Sequence, residues 1–167
     1  RRDVKILVSG DLDESKIHDL IAAGAPIDGF GVGTQLITSY DAPAISMVYK
    51  LVEIEGRGAV KLSPGKRTYP MAKQVYRRLA NDGTFLGDHV TRADEIAEGE
   101  PLLAPMIAKG KLARPLPTLD AIRSRCRVQL AALPESLKRL DAAPGYPISY
   151  SDRLEAEARK LMNPGKR

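Results

Sequence analysis

The stretch VKILVSGDLDESKIHDLIAAGAPIDGFGVGT, residues 4–34, decides the fold. Its opening residues, Val4-Lys5-Ile6-Leu7-Val8, are short, apolar and end at Ser9-Gly10, which reads as a buried strand. Asp13 suits the N-cap of a following helix, and Ile17, Leu20 and Ile21 fall on one face of it. Gly24 and Pro26 supply the stop. Ile27-Asp28-Gly29-Phe30-Gly31-Val32 then reads as a second strand. Strand, helix and strand with short joints imply parallel strands and a right-handed crossover, hence an α/β fold. One such unit cannot cover both faces of a parallel sheet. The strands need neighbours, either the hairpin region that follows or, the preferred reading, further strands of a longer protein.

Outward from this unit the pattern changes. Residues 45–54 alternate in part, with Ile45, Met47, Tyr49 and Leu51 on one side and Ser46 and Lys50 on the other. Gly56-Arg57-Gly58 turns the chain and Ala59-Val60-Lys61-Leu62 runs back, an antiparallel hairpin. Residues 73–79, 84–90 and 102–107 are further strand candidates, the last weakened by Pro101 and Pro105. Thr118 caps a helix whose stripe is Leu119, Ile122, Cys126, Leu130, Leu133 and Leu137, with Pro134 restarting it. A polar helix follows at about residues 152–161.

Composition narrows the function classes. Of 167 residues, 43% are apolar and 28% charged, ordinary for a globular protein. No apolar run reaches the roughly 20 residues of a membrane span. The N-terminus leads straight into a strand without a signal-peptide pattern, so a cytoplasmic location is expected. A single cysteine, Cys126, excludes an internal disulfide and a cysteine-based zinc site, and its place on an apolar stripe predicts core packing. The net charge of +5 favours phosphate-bearing ligands, but aromatics are only 5% and the basic residues are scattered, without the footprint of a nucleic-acid groove.

The chemistry-bearing residues cluster at two strand ends. Ser9-Gly10-Asp11 follows the first strand and Gly31-Val32-Gly33-Thr34 the second. Ligand sites of α/β folds form at the carboxyl ends of parallel strands, and adjacent strands put both loops on one rim. Glycines there let backbone N–H groups approach an anion, and a following helix N-terminus adds partial positive charge. Thr34 adds a hydroxyl, and Asp11 can accept from the hydroxyls of a sugar. The same glycines also suit a tight turn with close packing, and the pattern by itself leaves both readings open. Asp11 with Asp13 could form a metal pair, but the cap role for Asp13 is the better reading and no metal site is assigned. Lys61, Ser63 and Lys66, within Lys61-Leu62-Ser63-Pro64-Gly65-Lys66, could grip a pyrophosphate, but on the residues alone a solvated hairpin end is the better reading. Neither His18 nor His89 has a serine or cysteine beside it in a nucleophile–base arrangement, and no catalytic residue is assigned.

Three blocks, SGDLD, GAPIDGFGVGT and KLSPGK, in this order and spacing, resemble the C-terminal half of nicotinate phosphoribosyltransferase, and GEPLLAPMIAKGKLARPLPTLDAIRSR is similar to its tail. The likeness runs through nearly the whole chain. It implies an enzyme that joins nicotinic acid to phosphoribosyl pyrophosphate, giving nicotinate mononucleotide and pyrophosphate, in NAD salvage. It further implies coupling to ATP hydrolysis, assistance by Mg2+, and a homodimer. The implied fold is part of an irregular α/β barrel of the type II phosphoribosyltransferase kind, followed by a β-hairpin region and C-terminal helices. Residues 1–66 would carry the barrel portion with its phosphate and ribose loops, 67–110 mostly strands and loops, and 111–167 the helices. By the resemblance, Ser9, Gly10 and Asp11 lie at the ribose, Gly31, Gly33 and Thr34 hold the 5′-phosphate, and Lys61 and Ser63 approach the phosphates. The family's N-terminal half, which supplies the ring-stacking aromatic and the basic residues for the nicotinate carboxylate, has no counterpart here, so the chain is expected to be an inactive fragment. The alternatives are a non-catalytic phosphate-binding or assembly module, and a relative that uses nicotinamide or quinolinate.

Overall fold

The computed structural model describes residues 3–44, 47–63, 68–141 and 144–162. The chain divides into two compact units, residues 1–48 and 49–167. The fold is mixed α/β. Its sheets hold two, four, two and two strands, and among the described residues none closes on itself.

The first unit contains β1 (Leu7–Ser9), α1 (Glu14–Ala22), β2 (Gly29–Gly31) and α2 (Thr34–Thr38). β1 and β2 are parallel, with Leu7 opposite Gly29, Val8 opposite Phe30 and Ser9 opposite Gly31. The helix between them begins and ends as its sequence dictates. Asp13 accepts a hydrogen bond from the Lys16 N–H at 2.8 Å. Gly24, at φ +70°, reverses the chain at the other end. There the N–H of Gly24 reaches the Ile21 carbonyl at 2.9 Å and that of Ala25 the Leu20 carbonyl at 3.1 Å, a Schellman motif. Asp28 ties the two strands together at their start, accepting from the Ile6 N–H at 2.8 Å and from Lys5 Nζ at 3.0 Å. The backbone hydrogen bond from Ile6, and then the lysine, hold its carboxyl below the ordinary aspartate range.

The expected burial of these strands is corrected. Each spans three residues instead of five or six, and Leu7 is 77% exposed. One helix for two parallel strands leaves most of the apolar surface uncovered. Leu12 is buried, Ile17 and Leu20 are half-buried, and Ile21 is exposed.

The second unit opens with a hairpin of β3 (Glu53–Ile54) and β4 (Arg57–Gly58). Its turn residues are Glu55 and Gly56, both at positive φ (48° and 73°), as in a type I′ hairpin. Of the expected first strand only Glu53–Ile54 forms, the return strand is Arg57–Gly58 from the expected turn, and residues 59–62 add one bond to the hairpin, from the Ala59 N–H to the Val52 carbonyl. Ile45 and Ser46 lie outside the described residues. β5 (Lys73–Leu79) and β6 (Phe85–Arg92) follow, antiparallel and close to their expected bounds. β7 (Glu100–Pro101) pairs with β5. The strand expected over 102–107 does not form. Leu102 adds one more bond to Val75, Pro105 has no N–H to continue the ladder, and a separate hairpin of β8 (Ile107–Ala108) and β9 (Lys111–Leu112) begins beyond it.

α3 (Leu119–Ala131) starts where Thr118 caps it, accepting from the Ala121 N–H at 3.3 Å. A 3-10 turn over Glu135–Leu137 follows Pro134, as expected of a restart. β10 (Ile148–Tyr150), which the sequence did not announce, adds to β6 in parallel and completes the sheet order β10-β6-β5-β7. α4 (Asp152–Met162) then folds back on β6. The core of this unit lies there: Leu154 and Ala158, one turn apart on α4, are buried, as are Thr91 on β6 and Pro70. Ser151 caps α4, accepting from the Leu154 N–H at 3.2 Å and donating to Glu95 Oε2 at 2.9 Å. Tyr150 stacks on Tyr69 with ring centroids 4.1 Å apart. The stripe of α3, by contrast, is not core. Leu119 is 71% exposed, and Cys126 is exposed too, because the sheet does not close against this helix.

Candidate phosphate site at the strand ends

In the 1–48 unit the register Ser9 opposite Gly31 brings the two glycine loops to one edge. Ser9, Gly10, Asp11, Gly31, Gly33 and Thr34 are all exposed there. Gly10 (φ +113°) and Asp11 (φ 43°) turn the chain off β1 in a left-handed conformation that most residues avoid. The Asp11 carbonyl accepts from Lys16 Nζ at 2.6 Å. That ammonium also pairs with Asp13 at 3.3 Å, so the edge carries a cation that the sequence reading overlooked. Its signal was its place three residues after a capping aspartate. The Asp13 carboxyl is held low, mainly by the backbone hydrogen bond of Lys16. Among the described residues the Asp11 carboxylate and the hydroxyls of Ser9 and Thr34 have no hydrogen-bond partner.

The glycines divide by cause. At Gly29 a Cβ would sit 2.8 Å from Leu7 Cδ2, and at Gly31 3.2 Å from Ser9 Cβ. Close packing of β2 on β1 therefore accounts for both. Gly10 is accounted for by its positive φ. Gly33 is not accounted for by packing, since a Cβ there would meet nothing within 4 Å, but its backbone, at φ −114° and ψ −108°, is neither extended nor helical. Beyond it, α2 starts with no side-chain cap. With five residues, that helix supplies a smaller dipole than the expectation assumed.

The other candidates lie in the 49–167 unit. Lys61 is exposed and outside any strand, its N–H donated to Thr68 Oγ1 at 3.2 Å. Ser63 is exposed, and Lys66 lies outside the described residues. His18 is exposed, and His89 Nδ1 meets Ser149 Oγ at 2.9 Å. The sequence reading missed a network on the sheet. Arg77 grips Asp88 with two bonds of 2.9 Å, and the Tyr146 hydroxyl donates to the same carboxylate at 2.9 Å. The Arg77 guanidinium lies 4.3 Å from the Phe85 ring centroid. Its hydrogen bond holds the Asp88 carboxyl below the usual range, while burial and then the Asp88 charge push the Tyr146 phenol up. No local pattern announces the network: Arg77 and Asp88 meet because the β5–β6 register sets them opposite each other. Among the described residues no three His, Cys, Asp or Glu side chains converge as metal ligands.

Residues 96–157 match the nicotinate phosphoribosyltransferase C-terminal domain family, so the likeness read from the sequence blocks is borne out. The chain is 47% identical over 162 residues to nicotinate phosphoribosyltransferase pncB2 of Mycobacterium tuberculosis, covering 96% of this chain and 35% of that protein. It is 32% identical over 178 residues to nicotinate phosphoribosyltransferase of Mus musculus, covering 92% of this chain and 33% of that one. The crystal structure of human nicotinic acid phosphoribosyltransferase superposes with a TM-score of 0.74 at 26% identity, over 95% of this chain and 33% of that chain. The chain thus spans about a third of the length of the curated relatives it matches. No helix among the described residues is long and apolar enough to cross a membrane.

Proposed function

We propose that this chain carries part of the active site of a nicotinate phosphoribosyltransferase, the enzyme that forms nicotinate mononucleotide and pyrophosphate from nicotinic acid and phosphoribosyl pyrophosphate in NAD salvage. The observation that carries the reading is the register that sets Ser9 opposite Gly31 and brings both glycine loops to one edge. Gly33 stands there over open space, where a Cβ would meet nothing within 4 Å, beside hydroxyls and a carboxylate without partners among the described residues. In this reading Gly31, Gly33 and Thr34 hold the 5′-phosphate, with Ser9, Gly10 and Asp11 at the ribose. Lys61 and Ser63 keep their role as phosphate contacts on the KLSPGK resemblance alone.

The chemistry asked of these residues is positional. Breaking the bond at the anomeric carbon builds positive charge on the sugar and negative charge on the departing pyrophosphate. A phosphate pinned by backbone N–H groups and a hydroxyl fixes the sugar for attack by the pyridine nitrogen, without a covalent nucleophile from this region. The β1–α1–β2 unit is proposed as a portion of the family's irregular barrel, and a cytoplasmic homodimer as its setting. Mg2+ and ATP belong to the proposed reaction, but the described residues offer no ligand cluster for a metal, and no residue of this chain is assigned to either.

The test is conversion of labelled nicotinic acid and phosphoribosyl pyrophosphate to nicotinate mononucleotide. The chain alone is expected to give no product, and a form extended to the length of its relatives is expected to turn over. A folded, extended form that makes no nucleotide would overturn the enzyme reading and favour a non-catalytic phosphate-binding or assembly module. Product from nicotinamide or quinolinate instead would assign it to a relative of different ring specificity.

A further inference from the structure

A cleft of about 390 Å³ opens between α3 and the four-stranded sheet, within the 49–167 unit. Its roof is the stripe that the sequence would have placed in the core: Ile122, Cys126, Leu130 and Leu133. Ile122, Cys126 and Leu130 are four apart and share one face of α3, and Leu133 lies just beyond its end. Its floor is built from flat groups, the rings of Phe85 and Tyr146 with the Arg77 guanidinium between them, 4.3 Å and 5.9 Å from their centroids. A volume of this size, apolar over most of its lining with a few polar groups, is that of a small-molecule site.

We propose that this cleft binds a flat aromatic monoanion, with its ring laid on the planar floor and its acid on Arg125. Charge decides the class of ligand. The Arg77 charge is matched by Asp88 through two hydrogen bonds. Arg125 also lines the cleft and has no carboxylate partner among the described residues, which leaves one positive charge uncompensated. Gln129 stands one turn further along the same face and offers an amide to the same acid group. Planar ring, guanidinium and phenol surfaces favour an aromatic body over an aliphatic one through stacking. A dianion would leave one charge unmatched in an apolar wall.

The only cysteine of the chain lines this cleft and is exposed, so it reports occupancy directly. The full 167-residue chain is labelled with iodoacetamide, a neutral reagent, in the presence of 2-naphthoate or its uncharged analogue 2-naphthamide. The expected result is saturable protection of Cys126 by the acid, about tenfold tighter than by the amide, since a charge-assisted bond is stronger than a neutral one. Arg125→Gln removes a cation next to Cys126 and is expected to slow unliganded labelling; with protection expressed relative to that rate, it is expected to abolish the preference for the acid. In parallel, 15N shifts on adding 2-naphthoate are expected at Phe85, Gln129 and Leu133. No protection at millimolar acid, equal protection by acid and amide, an intact preference in Arg125→Gln, or shifts scattered over other apolar surface would each overturn the proposal. None of these readouts depends on transferase activity.

Discussion

Gly33→Val is the sharpest probe of the strand-end site, because its side chain would enter open space over the loop: a Cβ there meets nothing within 4 Å. The backbone at this position, φ −114° and ψ −108°, is neither extended nor helical, so urea unfolding of the variant fixes the folded fraction on which binding is read. A phosphate seated on that loop would be pushed away from at least one backbone N–H. A hydrogen bond to a charged group contributes about 1.5–3 kcal/mol, so affinity is expected to fall by roughly ten- to a hundredfold or somewhat more. Gly10→Ala is the contrast. There φ is +113°, and the left-handed conformation costs an ordinary residue about 1–2 kcal/mol, so this variant is expected to lose stability even though its Cβ would also sit in open space. The assay pairs urea unfolding of each variant with an NMR titration by ribose 5-phosphate, and with the KM for phosphoribosyl pyrophosphate in the extended enzyme. Unchanged affinity and KM in Gly33→Val would refute the phosphate assignment.

Leu154→Ala removes a fully buried side chain at the centre of the α4–sheet contact and is expected to destabilise the 49–167 unit by about 2–5 kcal/mol, read from urea unfolding. Asp13→Ala deletes the cap of α1 and is expected to cost about 0.5–2 kcal/mol, seen as faster amide exchange in residues 14–17 with the sheet of the other unit unaffected. Asp88 predicts a pH dependence of defined sign. Arg77 lowers its folded pKa below the ordinary value of 3.8, so its contribution is complete above that value and is lost as pH falls through the lower, folded one. Asp88→Asn is expected to be less stable than the parent at pH 7 and to show a flatter acid limb in thermal melts between pH 5 and pH 2. Parallel acid limbs would refute the coupling.

What the sequence made legible was local. Asp13, Gly24, Thr118 and Pro134 act within a turn of where they stand, and each does in the structure what its chemistry announced. β5 and β6 were legible because they are seven and eight residues long and the turn signal Asn81-Asp82-Gly83 stands between them. β10 was not, since three residues between Pro147 and α4 carry too little pattern, and its partner lies about sixty residues upstream. The apolar stripe of α3 was read correctly as a stripe and wrongly as core. Periodicity tells which residues share a face but not what stands opposite. At the strand ends the sequence showed where the glycines are, and only the neighbours in space distinguished Gly29 and Gly31, close against Leu7 and Ser9 of β1, from Gly33 with open space around it. Arg77, Asp88 and Tyr146 come from three separate segments and meet only through strand pairing and the loop before β10, beyond the reach of any local rule.

The placement of Leu154 and Ala158 on α4 bears on how the protein is made. Strands β5 and β6 can pair as soon as both have left the ribosome, since their hairpin is local. They gain their buried apolar lining only after residues 148–162 emerge, some sixty residues later. Until then the nascent sheet has one open flank and one bare face, the condition in which chaperones engage and chains from neighbouring ribosomes can mispair.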